Sequence, residues 1–446
     1  MANRPNSEQT NAYRPTSYVV EKVHLFTNLN SEEQFVDLTF VSQDIVITES
    51  IFTMGISLDV TIGDATGLLE GYKIMGNEKV LVQISRSDVE SGEKKEYELH
   101  LRIANIGPYS RMKDSLQTFT LTCVSDYVYH NNLMTLTNPF EGSVGTSIKN
   151  ICETQLKIDK DNLEINTETG LASGIYPRLK PLSAIKWLLL NATEEKTPFF
   201  FYQRVADNKV VLESYKNMVD KDSFETYEYA PYFQSDVSTG KDLKDSYNEE
   251  RKKITALSSD LDISQLKLIA DGAYGSTLHT LDIANKTRNT FKYNYNRTEK
   301  LNDNDSLSDN MKLLDKPIKE FTEGKNLFIS QNSLAFNDQK GYSDLIGPGY
   351  LNAQSYIKNL NTLTLDIVIA GDFNLKLGDK ITTNINRAGS DSNEPAFDQY
   401  LSGNYIISKI IHKFSTKYTM TLTIQKDSFS ESIDEIIQVQ NRPEVI

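Results

Sequence analysis

Residues 362–385 read TLTLDIVIAGDFNLKLGDKITTNI, and this stretch predicts the fold class. Every second residue of its first half is apolar, a period of two that predicts a β-strand with one buried face. These apolar residues are Leu363, Leu365, Ile367 and Ile369. Turn signals at Gly371-Asp372 and Gly378-Asp379 end the strand, and the alternation resumes over 381–385. With two further strands at 405–411 and 418–424, the stretch predicts a small antiparallel barrel.

A similar set of short strands fills the block 18–126. Three segments of this block match three segments of the later one, in the same order. The matched segments are Leu58-Asp59-Val60-Thr61-Ile62 with Leu365-Asp366-Ile367-Val368-Ile369, Ile103-Ala104-Asn105-Ile106 with Ile407-Ser408-Lys409-Ile410, and Phe119-Thr120-Leu121-Thr122 with Met420-Thr421-Leu422-Thr423. The repeated order predicts a duplicated β domain.

The turn before the second strand of the later block has two candidate partners. Gly71-Tyr72-Lys73-Ile74 matches Gly378-Asp379-Lys380-Ile381 at the same spacing, whereas Gly76-Asn77-Glu78-Lys79-Val80 matches it only with a gap. Both alignments place glycine where the chain turns. The predicted structural turn positions are Gly71, Gly76, Gly371 and Gly378, with a role in backbone geometry.

The chain between the blocks has a different character. Apolar residues recur at helical spacing over 143–156 and 181–193, and a hairpin is predicted around Asp207-Asn208. Asn, Asp, Lys and Ser dominate 285–344, which predicts a surface insertion rather than core. A helix over 350–360 leads directly into the opening stretch.

The sequence therefore predicts an α+β protein that is mainly β. Two similar antiparallel β-barrel domains flank an α+β domain, and a polar insertion interrupts the second barrel. The predicted parts are an arm (1–17), the first barrel (18–126), the middle domain (127–215), the start of the second barrel (216–284), the insertion packed with the middle domain (285–344), the helix and the rest of the second barrel (345–428), and a C-terminal segment (429–446) with a short helix or strand over 433–439.

The composition is that of a soluble globular protein of several domains. The 446 residues carry a formal net charge of -14, which argues against a general nucleic-acid binder because phosphates need a basic surface. The first 17 residues are polar and contain no secretory signal. Cys123 and Cys152 are predicted to be core thiols in a reducing compartment.

No pattern of catalytic, cofactor-binding or metal-binding residues is present in the sequence. The histidines are scattered and form no zinc pattern; they are His24, His100, His130, His279 and His412. Phosphate loops, the G-x-S-x-G elbow and H-E-x-x-H are missing. Asp303-Asn304-Asp305-Ser306 lacks the glycine and glutamate of a calcium loop. We therefore predict no enzyme activity, cofactor or metal.

The layout resembles the baseplate central hub protein of contractile-tailed (T-even-like) bacteriophages, in the tail-hub and late-control superfamily. Several segments carry the resemblance in order along the chain. They are the G-x-F-x-L-x-x-G-x-x-I pattern of 371–381, the strand 405–412, the turn Gly76-Asn77-Glu78, the segments Asn138-Pro139-Phe140 and Gly145–Ile151, and Gly272–Ser276 followed by 279–282.

The resemblance implies a homotrimer in which each chain supplies two similar tube domains. Three chains would form a pseudo-sixfold ring that adapts the hexameric tail tube to the trimeric membrane-piercing spike or tail lysozyme protein. Baseplate wedge proteins would surround it, and DNA would pass through the channel without specific binding. The protein would be located in the virion tail after assembly in the host bacterial cytoplasm.

Two other functions stay open at this level. One is a tail-associated enzyme that degrades cell walls, since a chain with 61 acidic residues could contain a catalytic carboxylate pair. The other is a β protein that binds carbohydrate or a receptor, to which the 23 tyrosines would be suited. Clearing of peptidoglycan suspensions would favour the first, and specific binding on a glycan array the second.

Overall fold

The computed structural model describes most of the chain. The described residues are 15–26, 34–87, 94–113, 116–165, 173–190, 192, 196–229, 243–260, 265–283, 285–295, 297–305, 312–317, 320–321, 323–331, 347, 349–387 and 397–430. The predicted arm and the predicted C-terminal element at 433–439 lie almost wholly outside them. Among the described residues, no helix is both long and apolar enough to cross a lipid bilayer.

Eight strands and one short helix form the first β unit. They are β1 (Val19–Phe26), β2 (Phe35–Asp37), β3 (Ser42–Ser50), β4 (Ser57–Asp64), α1 (Leu68–Gly71), β5 (Lys79–Ser87), β6 (Lys94–Ile106), β7 (Ser110–Lys113) and β8 (Leu116–Ser125). The strands pair antiparallel in the order β3-β4-β8-β6-β5-β1-β2, with β7 on β8. In β4, buried and half-buried residues alternate strictly, as the sequence pattern predicts.

The middle domain combines helices with two small sheets. It contains α2 (Asp126–Leu133), β9 (Pro139–Phe140), α3 (Val144–Thr154), β10 (Leu163–Ile165), β11 (Gly174–Ile175), α4 (Pro181–Leu190), β12 (Phe199–Gln203), β13 (Val210–Ser214) and α5 (Tyr215–Asp220). The two sheets have the strand orders β10-β13-β12 and β11-β9. The Ser143 hydroxyl caps α3 by accepting a hydrogen bond from the Thr146 N–H at 3.0 Å. The predicted hairpin is confirmed as β12–β13, and Asn208 in its turn has a φ of +52°.

The second β unit and the insertion occupy the rest of the described chain. Their elements are β14 (Thr226–Tyr229), α6 (Leu243–Arg251), β15 (Lys253–Ile254), β16 (Ala256–Asp260), α7 (Gln265–Ala270), β17 (Gly275–Asp282), β18 (Thr287–Asn294), β19 (Asn304–Asp305), β20 (Lys312–Leu313), β21 (Lys316–Pro317), β22 (Lys325–Gln331), α8 (Tyr350–Leu360), β23 (Leu363–Ala370), β24 (Lys380–Asn384), β25 (Gly403–Phe414), β26 (Tyr418–Lys426) and β27 (Ser428–Phe429).

The strand pairings of the second unit form a ring. β14 pairs with β24, β24 with β25, β25 with β26, β26 with β23 and β23 with β16. β15 precedes β16 with one residue between them and pairs with β14, which completes the ring. All of these pairings are antiparallel except those of β14, which are parallel. The expectation of an α+β protein that is mainly β, with antiparallel sheets, is confirmed.

The insertion contributes to a buried core. β18, β17 and β22 form a sheet, in which Leu278 and Tyr293 join the same apolar cluster as Ile148 and Ile185 of the middle domain. Tyr293 lies in the predicted insertion over 285–344, so this part of the insertion packs with the middle domain and is not surface alone. The polar composition of this segment did not indicate a core. The Tyr293 hydroxyl can be buried there because it donates to the Ser355 hydroxyl at 2.9 Å.

A wholly buried ion pair fastens the insertion to the second β unit. Arg297, from the loop after β18, contacts the carboxylate of Asp427, between β26 and β27, and both side chains are fully buried. The same carboxylate accepts hydrogen bonds from the Tyr215 hydroxyl at 2.5 Å and the Leu301 N–H at 3.2 Å. The Arg297 guanidinium also lies 4.6 Å from the ring centre of Tyr356. One carboxylate thus joins three parts of the chain.

Lys426, at the end of β26, predicts a pH dependence of stability. Its buried ammonium donates to the carbonyls of Tyr400 (2.7 Å) and Ser402 (2.9 Å), and burial lowers its pKa from 10.5 to about 7. Between these values the unfolded chain binds the extra proton, so this residue makes stability rise with pH, by at most about 1.4 kcal/mol per unit. Lys426→Met is expected to lack this slope when urea unfolding is compared from about pH 7.5 to 9.5. Parallel curves for both proteins would contradict the prediction.

Candidate functional site

The two β units repeat the same strand pairings in the same register. Val60 on β4 lies opposite Leu121 on β8, and Ile367 on β23 lies opposite Leu422 on β26. A one-residue irregularity follows Ile103 in β6, and another follows Ile407 in β25. The equivalent strands are β3 and β16, β4 and β23, β5 and β24, β6 and β25, and β8 and β26. The predicted duplication is thus present in the pairing register.

A polar pair on the outer face of the sheets is also duplicated. The Thr122 hydroxyl donates to Asp59 at 2.7 Å, and the Thr423 hydroxyl donates to Asp366 at 2.6 Å. These four residues lie in the segments that the sequence comparison matched. Because each pair crosses equivalent strands, the local sequence similarity reflects equivalent contacts.

The structure supports the gapped alignment of the turn before β5. The Ile103 N–H donates to the Glu78 carbonyl at 2.9 Å, and the Ile407 N–H donates to the Asp379 carbonyl at 3.0 Å. Each acidic side chain also accepts a hydrogen bond from the backbone N–H three residues earlier. Glu78 accepts from Met75 at 2.6 Å, and Asp379 accepts from Lys376 at 3.0 Å. The ungapped alignment is wrong, because Gly71 lies at the end of α1.

The four glycines singled out from the sequence have different environments. Gly76 and Gly378 have φ angles of +93° and +83°, which favour glycine. Gly371 is needed for space, since a Cβ there would lie 1.9 Å from the ring of Tyr418. A Cβ on Gly71 would meet nothing within 4 Å.

Gly371→Ala is expected to lower the free energy of unfolding by about 1–3 kcal/mol, because the added methyl group must displace a buried tyrosine. Gly71→Ala is the matched control, and a helical position with open space should tolerate it or gain slightly in stability. Urea unfolding of the two variants beside the parent measures both effects. Equal midpoints for the two variants would contradict this role of Gly371.

One continuous sheet crosses from one β unit to the other. β3 pairs antiparallel with β25, from Ser50 opposite Lys409 to Ile45 opposite Phe414. The order β16-β23-β26-β25-β3-β4-β8-β6 therefore joins eight antiparallel strands without interruption. The inward residues of both units belong to a single apolar cluster. We call this eight-stranded surface the joint sheet.

The outer face of the joint sheet is mostly polar, although it also carries Lys409, Lys413 and a few aliphatic residues such as Val46 and Ile411. Its partly exposed residues include many threonines, and the alternate residues point into the core. Residues of this face are Asp59, Thr61, Thr118, Thr120, Thr122, Thr364, Asp366, Thr419, Thr421 and Thr423. A face in which hydroxyl groups and charged side chains predominate suits a hydrated surface rather than an apolar contact.

A buried hydrogen-bond network lies where the two units meet. Glu49 on β3 and His412 on β25 contact at 3.2 Å, and the other ring nitrogen of His412 lies 2.9 Å from the Tyr418 hydroxyl. The Tyr97 hydroxyl is 3.2 Å from that of Tyr418, and burial raises the pKa of both phenols, so both stay neutral. Glu49 also accepts from the Val205 N–H at 2.6 Å, which ties the middle domain to the junction.

The loop between β23 and β24 packs on the first unit beside this network. Phe373 stacks on Tyr97 with ring centres 4.2 Å apart. Arg86 donates to the Gly371 carbonyl at 2.8 Å, and its guanidinium lies 5.4 Å from the ring centre of Phe373. The junction between the units is therefore formed by strand pairing, a buried hydrogen-bond network and aromatic packing together.

The described residues contain no group of three or more His, Cys, Asp or Glu side chains that could hold a metal ion. Cys123 and Cys152 are free and buried, and burial raises the pKa of each thiol to about 12. Of the five histidines only His412 belongs to the junction; His24 and His279 stack on phenylalanines, and His100 contacts Glu98. His130 contacts the Leu156 carbonyl.

The fold is similar to that of solved tail proteins. A tail protein from Neisseria meningitidis MC58 aligns over 92% of this chain and 97% of its own, with a TM-score of 0.52 and 11% identity. The chain has the fold of a tail protein. The 43 kDa tail protein of prophage MuSo2 from Shewanella oneidensis aligns over 93% of this chain and 100% of its own, with a TM-score of 0.49 and 10% identity.

A Francisella PdpA–VgrG complex also aligns, over 92% of this chain and 58% of the matched chain, with a TM-score of 0.45 and 12% identity. No family model matches the sequence, and no curated protein matches it. At these identities the likeness concerns the fold alone. The resemblance to tail proteins inferred from the sequence is confirmed at the level of the fold.

Sequence reasoning found most strands of the joint sheet, but not β16, and it missed the junction. Glu49 and His412 are 363 positions apart, and no sequence pattern links them. The signal that could have indicated them is a charged or imidazole side chain at a position where the strand alternation calls for an apolar one. Both residues stand at such inward positions of β3 and β25.

Proposed function

We propose that this chain is a structural tail protein, the central hub of a contractile-tail baseplate. In the proposed assembly, three copies form a ring of six similar β units that adapts a hexameric tail tube to a trimeric spike. The observation that carries the proposal is the joint sheet, since two equivalent units are already fixed edge to edge within one chain. Cyclic repetition of such a junction is a direct route to a closed ring.

The proposed partners follow from this symmetry. One side of the ring would contact the tail tube protein, whose six copies would match six similar β units. The other side would contact a trimeric spike or tail lysozyme protein, and wedge proteins would surround the ring. The protein would be located in the virion tail after assembly in the host bacterial cytoplasm, with no enzymatic role.

We place the outer face of the joint sheet on the lumen of the ring. Its threonine hydroxyls and the Asp59 and Asp366 carboxylates are suited to a hydrated wall. The formal net charge of -14 per chain opposes tight binding of phosphates. DNA would therefore pass through the channel without being held.

Mass measurement by light scattering after size exclusion tests the proposal. The expected result is a particle of three times the chain mass, and class averages in electron microscopy should show a ring with six similar lobes. Co-expression with a candidate tube or spike protein should yield a complex with threefold or sixfold stoichiometry. A chain that stays monomeric at every concentration and in the presence of both partners would rule out the hub.

A further inference from the structure

The joint sheet ends in two strand edges without a strand partner among the described residues. One is the outer edge of β16, over Ala256–Asp260, since β16 pairs only with β23 there. The other is the edge that starts at Asn105, where β6 has passed beyond its pairing with β5, and runs to the beginning of β7. Exposed edges of this kind are templates for pairing with another chain.

These two edges are equivalent to the two strands that already pair within the chain. β16 is equivalent to β3, because Ile45 faces Val60 on β4 and Leu257 faces the matching Ile367 on β23. The end of β6 is equivalent to the part of β25 that receives β3, because Asn105 and Lys409 follow equivalent irregularities. The chain therefore carries one complete copy of a junction and the two separate halves of a second copy.

We infer that these halves close a seam between copies of this chain: the edge at residues 105–110 of one copy pairs antiparallel with β16 of the next. The inference rests on the proposed homotrimer and supplies its contact. The internal junction gives the register, in which Ile411 faces Thr48. The corresponding seam pair is Gly107 with Asp260, and Tyr109 then lies near Ser258.

The connecting loops have the exposure that this seam requires. Between β23 and β24, Phe373, Leu375 and Leu377 are buried, and Phe373 packs on the first unit at the internal junction. The equivalent loop between β4 and β5 instead exposes Tyr72 by 52% and Met75 by 85%. Tyr109 at the open edge is 56% exposed. Apolar side chains are thus uncovered on the side of the first unit that is equivalent to the covered side of the second.

Ser259→Pro tests the seam without changing the pairing of β16 with β23. The Ile51 N–H donates to the Ser408 carbonyl at 3.0 Å, so every second N–H of β3 points toward β25, including that of Ile47. Ser259 is the equivalent of Ile47, and proline there removes a donor from the seam only. We expect Ser259→Pro to be a folded monomer by circular dichroism and light scattering, whereas Ser259→Thr remains a trimer. Trimeric Ser259→Pro would overturn the seam.

Cross-linking provides a second measurement that does not depend on how proline is tolerated. Tyr109→Cys with Ser258→Cys should give covalent dimers and trimers with a short bismaleimide. The edge has one extra residue between Gly107, which donates to the Thr120 carbonyl, and Ser110, which lies opposite Thr118, and the reach of the reagent tolerates this shift. Leu133→Cys with Ser258→Cys is the control. Leu133 is 77% exposed, but it follows the C-terminal end of β8, whereas Tyr109 lies near the N-terminal end of that strand. The native thiols are buried and should not react.

The outcomes separate the seam from the hub proposal. A trimeric parent protein whose Tyr109–Ser258 pair cross-links no better than the control would overturn the seam and leave the homotrimer standing. A parent protein that is monomeric under all conditions would overturn the homotrimer, and the seam with it.

Discussion

Asp427→Ala is expected to lower the free energy of unfolding by about 3–5 kcal/mol, because it leaves the Arg297 guanidinium buried without its carboxylate. The same change removes the acceptor for the Tyr215 hydroxyl and the Leu301 N–H. Both the insertion and the end of the second β unit should loosen. Urea unfolding, followed by circular dichroism and by tyrosine fluorescence, measures the loss.

Two controls make this prediction specific. Tyr215 and Leu301 donate to different oxygens of Asp427, and Asp427→Asn keeps one of these acceptors, so it should cost less than alanine. The double variant Asp427→Ala with Arg297→Met removes the uncompensated charge and should recover part of the loss. If adding Arg297→Met lowered the stability of Asp427→Ala as much as it lowers that of the parent protein, the loss of the ion pair would not explain the effect of Asp427→Ala.

Glu49→Ala is the second change with a large expected effect, about 2–4 kcal/mol, because buried polar groups lose their hydrogen-bond partner. Glu49 and His412 are exposed by 1% or less, and their contact spans the junction between the units. Losing the carboxylate leaves His412 and the Val205 N–H without this partner. We expect one unfolding transition in the parent protein and a broader one, with a smaller urea dependence, in the variant.

A double-mutant cycle of Glu49→Ala with His412→Ala measures the energy of the Glu49–His412 contact apart from the other contacts of each residue. The two changes should be strongly non-additive, because each removes the same interaction across the junction. Asp366→Asn is a useful comparison, since this carboxylate is half-exposed and contacts only its own unit through Thr423. Additive effects of Glu49→Ala and His412→Ala would show that the pair does not couple the two units.

Local patterns in the sequence were sufficient for most strands and for three of the helices. The alternation of Leu365 and Ile367 predicted β23, and the helix expected over 350–360 has those bounds in the structure. The N-cap of α3 is Ser143, a residue type that favours this position. These features are set by neighbours in the chain, so short segments contain the information.

The sequence was less informative where burial depends on distant partners. The segment around Tyr293 and Arg297 is polar in composition, yet both residues are buried. Arg297 becomes tolerable in the interior only because Asp427, 130 positions away, meets it there. Composition averages over a segment cannot anticipate such a pairing. The turn before β5 is a similar case, because two glycines fit the pattern and only the hydrogen bonds distinguish them.

The sequence by itself determined that this protein contains two similar strand sets, because side-chain alternation and repeated segments such as Leu58–Ile62 and Leu365–Ile369 are local properties. Only the tertiary structure decided how the sets are joined. The pairing of β3 with β25 depends on backbone hydrogen bonds between residues hundreds of positions apart, and this pairing brings Glu49 to His412. Such bonds are open to almost any residue, so they leave little trace in the sequence.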